Sequence, residues 1–206
     1  MTTPMEFDAI FSLGYNCQVA AQLRKNKLRH AAGPWDWFNF ASTHEFCKVI
    51  QSQFSDFMLR DNLDIYGKSA NCYYVRDKQS SCLSFHDFKN NPEKLPLYDY
   101  PAFRERLDRR IERFNRCLNS EVKTLLVRII PHIKDAETID RAIRETYSNP
   151  NVSLLFIKLS SSPGIVALPS FSDRVLIKQI PKGPTWEGDS EAWKTILGGF
   201  SLRLGE

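Results

Sequence analysis

Long apolar runs are missing from this 206-residue sequence: no stretch could cross a bilayer, and the N-terminus lacks a basic and then apolar leader. We therefore expect a cytoplasmic protein with no membrane partner. The glycine patterns GxGxxG and GxxxxGKS or GxxxxGKT are also missing. Their absence excludes the usual dinucleotide and nucleotide-phosphate loops.

Cysteine is sparse and shows no paired spacing. The five cysteines are scattered and form no CxxC pair, so neither a disulfide framework nor a zinc site is indicated. We expect no metal and no organic cofactor. The sequence does contain 42% hydrophobic and 12% aromatic residues, enough to bury a sizeable core. Because no repeat or long linker interrupts it, we predict one domain over residues 1–206, with the oligomeric state left open.

Positive charge is concentrated in one segment. The formal net charge is only +4, and residues 104–116 alone carry six arginines among several acids. This segment has an apolar face at helical spacing, so its arginines are interpreted as a solvated surface. A nucleic-acid surface there is the weakest of our functional hypotheses, and it would require an affinity that falls steeply with salt.

Hydrophobic periodicity predicts an α/β fold. A short buried strand over 7–13 is followed by Gly14 and a helix over 17–29. Near-continuous apolar runs in 122–130 and 152–159, separated by one helix, are typical of a parallel sheet covered on both faces. We predict three layers around a mostly parallel sheet, plus a β-hairpin, with an α+β arrangement as the alternative. The other predicted elements are helices over 42–53, 103–118, 136–147 and 189–197, a strand over 174–180 and the hairpin over 71–88.

Cys17 is the predicted reactive residue. It stands in the first turn of a helix that follows a strand and a glycine, where backbone N–H groups and the helix dipole favour a thiolate. We therefore predict a nucleophile with a lowered pKa. Its own N–H, together with Asn16 or Gln18, is the predicted set of oxyanion donors. The alternative is a small buried residue with no chemistry.

A nucleophilic cysteine needs a base, and the chain has four histidines. His86 is the best candidate because it is predicted near the end of a strand, where side chains often project into a cleft. A plain surface histidine is the alternative. His30 lies at a helix end, His44 lies in a first helical turn, and His132 follows a strand as the nearest rival.

A carboxylate should orient the imidazole, and three are available: Asp36, Asp87 and Asp99. Asp36 lies in an aromatic segment, where a buried carboxylate needs a partner. We place it in the catalytic set, with a loop-bracing role as the alternative. Asp87 adjoins His86 and would point to the opposite side of a regular strand.

Two further residues are candidates for substrate binding. Trp37 belongs to the aromatic segment, and Arg128 lies inside a hydrophobic strand. Arg128 either pairs with a buried acid such as Asp36 or reaches a ligand at the strand end, and we favour the pair. The segment 186–189 is interpreted as packing and helix capping.

Four motifs together carry a resemblance to a known family. In chain order they are Ser12–Cys17 with Leu23-Arg24 on the following helix, Gly33–Trp37, Phe85–Phe88 and, after the helix rich in Arg and Phe, Leu125–Arg128. They resemble a bacterial family of putative papain-like cysteine peptidases, over nearly the whole chain. The resemblance implies that Cys17 is the nucleophile and His86 the base, acting on a peptide, amide or acyl substrate. It also gives the α+β alternative a papain-like form, and the order Cys before His agrees with papain-like enzymes.

The leading hypothesis is therefore a cysteine hydrolase of peptidase or amidase type that works through a thioester. Departures from papain keep two alternatives open, since the sequence has no Cys-Gly-Ser-Cys-Trp segment. One is an esterase-like α/β hydrolase with a thiol in place of serine, although no histidine follows His132. The other is a non-catalytic module whose cleft, near Arg128 and the segment 35–37, binds a sugar, phosphate or peptide.

Overall fold

The computed structural model describes residues 3–203. Its helices and strands are β1 (Met5–Phe7), β2 (Ala9–Ser12), α1 (Gln18–Lys25), β3 (Phe38–Asn39), α2 (Thr43–Gln51), β4 (Leu63–Lys68), β5 (Cys72–Asp77), β6 (Leu83–Lys89), α3 (Tyr100–Leu118), β7 (Thr124–Ile129), α4 (Lys134–Thr146), β8 (Val152–Ser160), β9 (Val166–Leu168), β10 (Val175–Pro181), α5 (Ser190–Leu197) and β11 (Phe200–Leu202).

A mostly parallel sheet forms the centre of the molecule. Its strand order is β2-β7-β8-β10-β9, and every neighbouring pair is parallel except β10 with β9. All six residues of β7 are buried, as expected for a strand that is covered on both faces. The predicted mostly parallel sheet is confirmed.

Helices cover both faces of this sheet. On one face, Val19 and Leu23 of α1 and Trp193 of α5 pack in one apolar cluster. On the other face, α2, α3 and α4 contribute to a second and larger cluster. Within it, the Phe114 ring of α3 packs against four aromatic rings, those of Phe11, Trp35, Phe54 and Tyr147. The predicted three-layer arrangement is thus confirmed.

A second sheet is antiparallel, with the order β3-β6-β5-β4. Strands β5 and β6 are the predicted hairpin, whereas β3 and β4 were not expected from the sequence. A short parallel pair, β1 with β11, is also additional. These strands are short or only partly buried, so the hydrophobic alternation that identifies a strand is weak in them.

Within residues 3–203, no helix is long and apolar enough to span a membrane. All five cysteines are free thiols, and the described residues contain no group of His, Cys, Asp and Glu side chains arranged to hold a metal ion.

Candidate active site

The turn between β2 and α1 places Cys17 at the start of the helix. The Ser12 hydroxyl accepts the Gly14 N–H at 3.0 Å, and Gly14 and Tyr15 follow with φ of +72° and +81°. Two successive residues with a left-handed backbone reverse the chain sharply. Glycine adopts this backbone conformation at low cost, which suits it to position 14. Asn16 Oδ1 then accepts the Gln18 N–H at 3.0 Å. Cys17 therefore occupies the N-cap position of α1.

The environment of the Cys17 thiol differs from the prediction. Its side chain is half-buried, and this burial is the largest influence that raises its pKa. The carboxylates of Asp87 and Asp36 raise the pKa further, and the N–H of Cys17 itself only partly opposes them. The predicted lowering of the pKa is therefore wrong, because desolvation and two negative charges outweigh the amino end of the helix.

His86 lies in an irregular part of β6. Tyr73 pairs with Phe88 and Val75 with Ser84, so β6 has two more residues than β5 between these pairs. The extra residues form a bulge, which re-aims side chains relative to a regular strand. Through this bulge His86 and its neighbour Asp87 line the same cavity. We expected His86 and Asp87 to point to opposite sides because residues alternate in a regular strand. The strand is irregular here, so that expectation does not apply.

An open cavity of about 1080 Å³ brings the main predicted residues together. Four predicted residues line it, namely Asn16, Cys17, Trp37 and His86, and so does the open candidate Asp87. The sequence did not identify eight further lining residues as part of a site: Arg24, Asn39, Ser69, Asn71, Cys72, Tyr74, Phe85 and Trp186. Only Arg24 had a signal in the sequence, because seven residues return an α-helix to the face that carries Cys17. The other three histidines do not line this cavity.

Asp87 is the carboxylate at the cavity. Its Oδ2 accepts a hydrogen bond from the Ser84 hydroxyl at 2.6 Å. Burial raises the pKa of Asp87, and the guanidinium groups of Arg110 and Arg106 oppose that rise. A buried carboxylate beside a histidine is suited to stabilising an imidazolium.

Asp36 does not line the cavity. Its Oδ2 is held by the Arg29 guanidinium at 2.6 Å and 2.7 Å and by the Gly33 N–H at 3.0 Å. Burial nevertheless raises the pKa of Asp36. These contacts fit the loop-bracing alternative, since they fix the segment that presents Trp37. Asp99 lies elsewhere and accepts the Lys89 N–H at 2.9 Å.

Arg128 and Gln18 are buried away from the cavity. Arg128 donates hydrogen bonds to the carbonyl groups of Leu13 and Phe40, and its guanidinium lies 3.9 Å from the ring centroid of Phe46. The predicted pair with Asp36 is wrong, because two carbonyls and an aromatic face take the place of a carboxylate. Burial lowers the pKa of Arg128 to about 10, so it stays charged at neutral pH and braces the Cys17 turn.

The Gln18 side chain is equally inaccessible, since only 2% of the residue is exposed. It packs so closely against Gly188 that a Cβ there would come within 1.7 Å of its amide nitrogen. Its backbone N–H is already used by Asn16. Gln18 therefore offers no free donor to the cavity, in contrast to the prediction that it could serve an oxyanion.

Comparison with known proteins gives two similarities. The sequence model of the family described as "Putative papain-like cysteine peptidase (DUF1796)" matches residues 8–157. An uncharacterised protein of Acanthamoeba polyphaga mimivirus is 24% identical over 220 residues, which cover 94% of this chain and 99% of that protein. No solved structure matches the chain. The family match contains Cys17 and His86 but ends before Trp186, and the mimivirus relative shows that such chains are not confined to bacteria.

Proposed function

This chain belongs to the family of putative papain-like cysteine peptidases, and on that premise we propose that it is a cysteine hydrolase of peptidase or amidase type. The observation that carries the proposal is that Cys17 and His86, far apart in the sequence, line one open cavity. A nucleophile and a base in one accessible site are the minimum for covalent catalysis.

In the first step, the Cys17 sulfur attacks the substrate carbonyl carbon while His86 accepts the thiol proton. The tetrahedral intermediate collapses to a thioester, and the leaving amine or alkoxide takes that proton from His86. In the second step, the oxygen of a water molecule attacks the carbonyl carbon of the thioester, and His86 accepts a proton from that water. The carbon–sulfur bond breaks, the acid leaves, and the proton returns to Cys17.

We infer that the thiol is not ionised in advance. Because burial and two carboxylates raise the pKa of Cys17, the free protein holds a neutral thiol at neutral pH. Deprotonation then has to accompany attack on the carbonyl, with His86 as general base. Asp87 stabilises the imidazolium that forms, while the same negative charge disfavours a thiolate in the resting protein.

Asn16 is the proposed side-chain donor to the oxyanion. Since its Oδ1 already accepts the Gln18 N–H, its amide NH₂ is the remaining polar group, and Asn16 lines the cavity. The N–H of Cys17 supplies the second donor. Two donors aimed at the developing negative charge are a usual arrangement for acyl transfer.

The proposal is tested with 4-nitrophenyl acetate, whose activated ester acetylates a competent nucleophile. We expect one acetyl group per chain, mapped by mass spectrometry to Cys17 and labile to hydroxylamine. Cys17→Ala should remove it, whereas Cys117→Ser should not, because Cys117 lies on α3 outside the cavity. Acetylation that is unaffected by Cys17→Ala would contradict the proposal and favour a non-catalytic binding module.

A further inference from the structure

Arg24 is a cation without a partner in the wall of the cavity. It is exposed, and among residues 3–203 its side chain takes part in no ion pair and no hydrogen bond. Its neighbour Lys25, in contrast, is paired with Glu187. The Arg24 guanidinium lies 5.6 Å from the ring centroid of Trp37, which orients it while leaving its N–H donors free.

Trp186 is an exposed indole that the fold holds in place at the same cavity. It is 61% exposed, yet its turn is tied to α1, because Gln22 Nε2 donates to the Glu187 carbonyl at 2.7 Å. Gly188 closes the turn with φ of +81°. A large aromatic surface that is fixed and uncovered is typical of a binding platform.

The rest of the cavity wall carries little charge. Asn39, Asn71 and Tyr74 are neutral, and Asp87 carries the formal negative charge among the lining residues. The Asp87 carboxylate is bonded to Ser84. Arg24 is therefore the cation available to a ligand outside the His86 region, and its complement is an oxyanion.

The spacing along α1 sets the size of this ligand. Seven residues separate Arg24 from Cys17 on one helix face, an axial distance of about 10 Å. We propose that the cavity binds acyl substrates in which a flat or apolar group links the reacting carbonyl to an oxyanion. Arg24 binds the oxyanion, a carboxylate or a phosphate, and Trp37 and Trp186 contact the linking group. That the carbonyl end of the ligand reacts with Cys17 rests on the proposed function. The oxyanion site at Arg24 does not depend on it.

Binding is tested by NMR with three matched probes: 4-acetamidobenzoate, 4-acetamidophenyl phosphate and acetanilide. We expect the indole N–H signals of Trp37 and Trp186 to shift with the two anions at concentrations about tenfold lower than with acetanilide. The anion that binds more tightly identifies the preferred group. Arg24→Gln should remove the preference for the anions. Arg109→Gln, an equal charge change on the exposed face of α3, should keep it. Equal binding of all three probes to the wild type would overturn the proposal.

Labelling of Cys17 separates this proposal from the proposed function. N-(4-carboxyphenyl)maleimide and N-phenylmaleimide differ only in the carboxylate, which lies beyond a flat ring. We expect the carboxylate to accelerate modification of Cys17 about tenfold, and Arg24→Gln to abolish the difference. Equal rates at a reactive Cys17 would overturn the oxyanion site alone. A Cys17 that 4-nitrophenyl acetate does not acetylate, with the anion preference intact by NMR, would overturn the proposed function alone.

Discussion

The two walls of the cavity are built in opposite ways. The thiol wall, which comprises β2, the turn 13–17 and α1, is embedded in the core, with Leu13 and Val19 completely buried. The histidine wall, which comprises β4, β5 and β6, is a half-exposed antiparallel sheet, and His86 lies in its bulge. Core packing therefore fixes the nucleophile, whereas a local irregularity of one strand places the base.

This comparison predicts that substitutions in the thiol wall reduce stability. Substitutions in the histidine wall should instead change the chemistry and leave the fold intact.

The largest effect is expected at the Arg29–Asp36 pair, which fixes the loop that follows α1. Arg29→Leu leaves the Asp36 carboxylate buried without its cation, which should lower the free energy of unfolding by about 3 kcal/mol at neutral pH. Asp36→Asn should cost less, because it removes the buried charge itself. Urea denaturation measures both. If Asp36→Asn lowered the free energy of unfolding as much as Arg29→Leu or more, the unpaired buried charge would not be the cause of the loss.

The sign of the pH dependence follows from the same pair. Burial raises the pKa of Asp36 even with Arg29 present, and the loss of Arg29 should raise that pKa further. A carboxyl group with a raised pKa in the folded state destabilises the fold once the pH exceeds its unfolded value. The deficit of Arg29→Leu should therefore shrink as the pH falls towards about 4. A deficit that grows in acid would show that the ion pair is not its cause.

Gly14→Ala should have the next largest effect. A Cβ at Gly14 would lie 3.1 Å from Trp35 Cβ and 3.3 Å from the Trp35 carbonyl oxygen, and φ is +72°. Gly164 has a similar φ of +88° with nothing within 4 Å, so Gly164→Ala measures the conformational cost alone, about 1 kcal/mol. We expect Gly14→Ala to cost about 1 kcal/mol more than this control and to slow acetylation of Cys17. Equal losses of unfolding free energy in Gly14→Ala and Gly164→Ala would show that the contact with Trp35 is relieved without cost.

The smallest stability effect, and one of opposite sign, is expected in the histidine wall. Since burial raises the pKa of Asp87, its charged form disfavours the folded state at neutral pH. Asp87→Asn should thus stabilise the protein by about 1 kcal/mol. It should also lower the pKa of Cys17, because Asp87 is among the groups that raise it.

Two reactions of Cys17 should therefore change in opposite directions in Asp87→Asn. Alkylation by iodoacetamide at about pH 8 should become faster, because more thiolate is present. Acetylation by 4-nitrophenyl acetate should become slower, because the imidazolium of His86 loses its carboxylate. The exposed Asp61→Asn serves as the control for both rates. A parallel change of the two rates would contradict the assigned role of Asp87.

The sequence predicted the elements with strong periodicity better than the positions of single side chains. The parallel sheet and α3 follow from long apolar patterns, whose burial leaves few alternatives. The bulge at His86 has no such pattern, so the sequence could not reveal that Asp87 reaches the cavity. The partner of Arg128 was also missed, because backbone carbonyl groups leave no signature in the sequence.

The prediction for the Cys17 pKa failed for a related reason. The helix start is visible in the residues before it, but the two carboxylates that raise the pKa come from other segments. Trp186 was interpreted as packing, since nothing near it indicates that its turn lies beside α1. The local helix start was thus predictable, and the charges and surfaces that tertiary structure brings to it were not.

The most direct test of the account is the rate at which 4-nitrophenyl acetate acetylates Cys17 in a His86→Asn variant at about pH 7. If Cys17 and His86 act as a pair, the rate should fall at least about a hundredfold, while His132→Asn leaves it unchanged. Acetylation of Cys17 at the wild-type rate without the His86 imidazole would contradict the account.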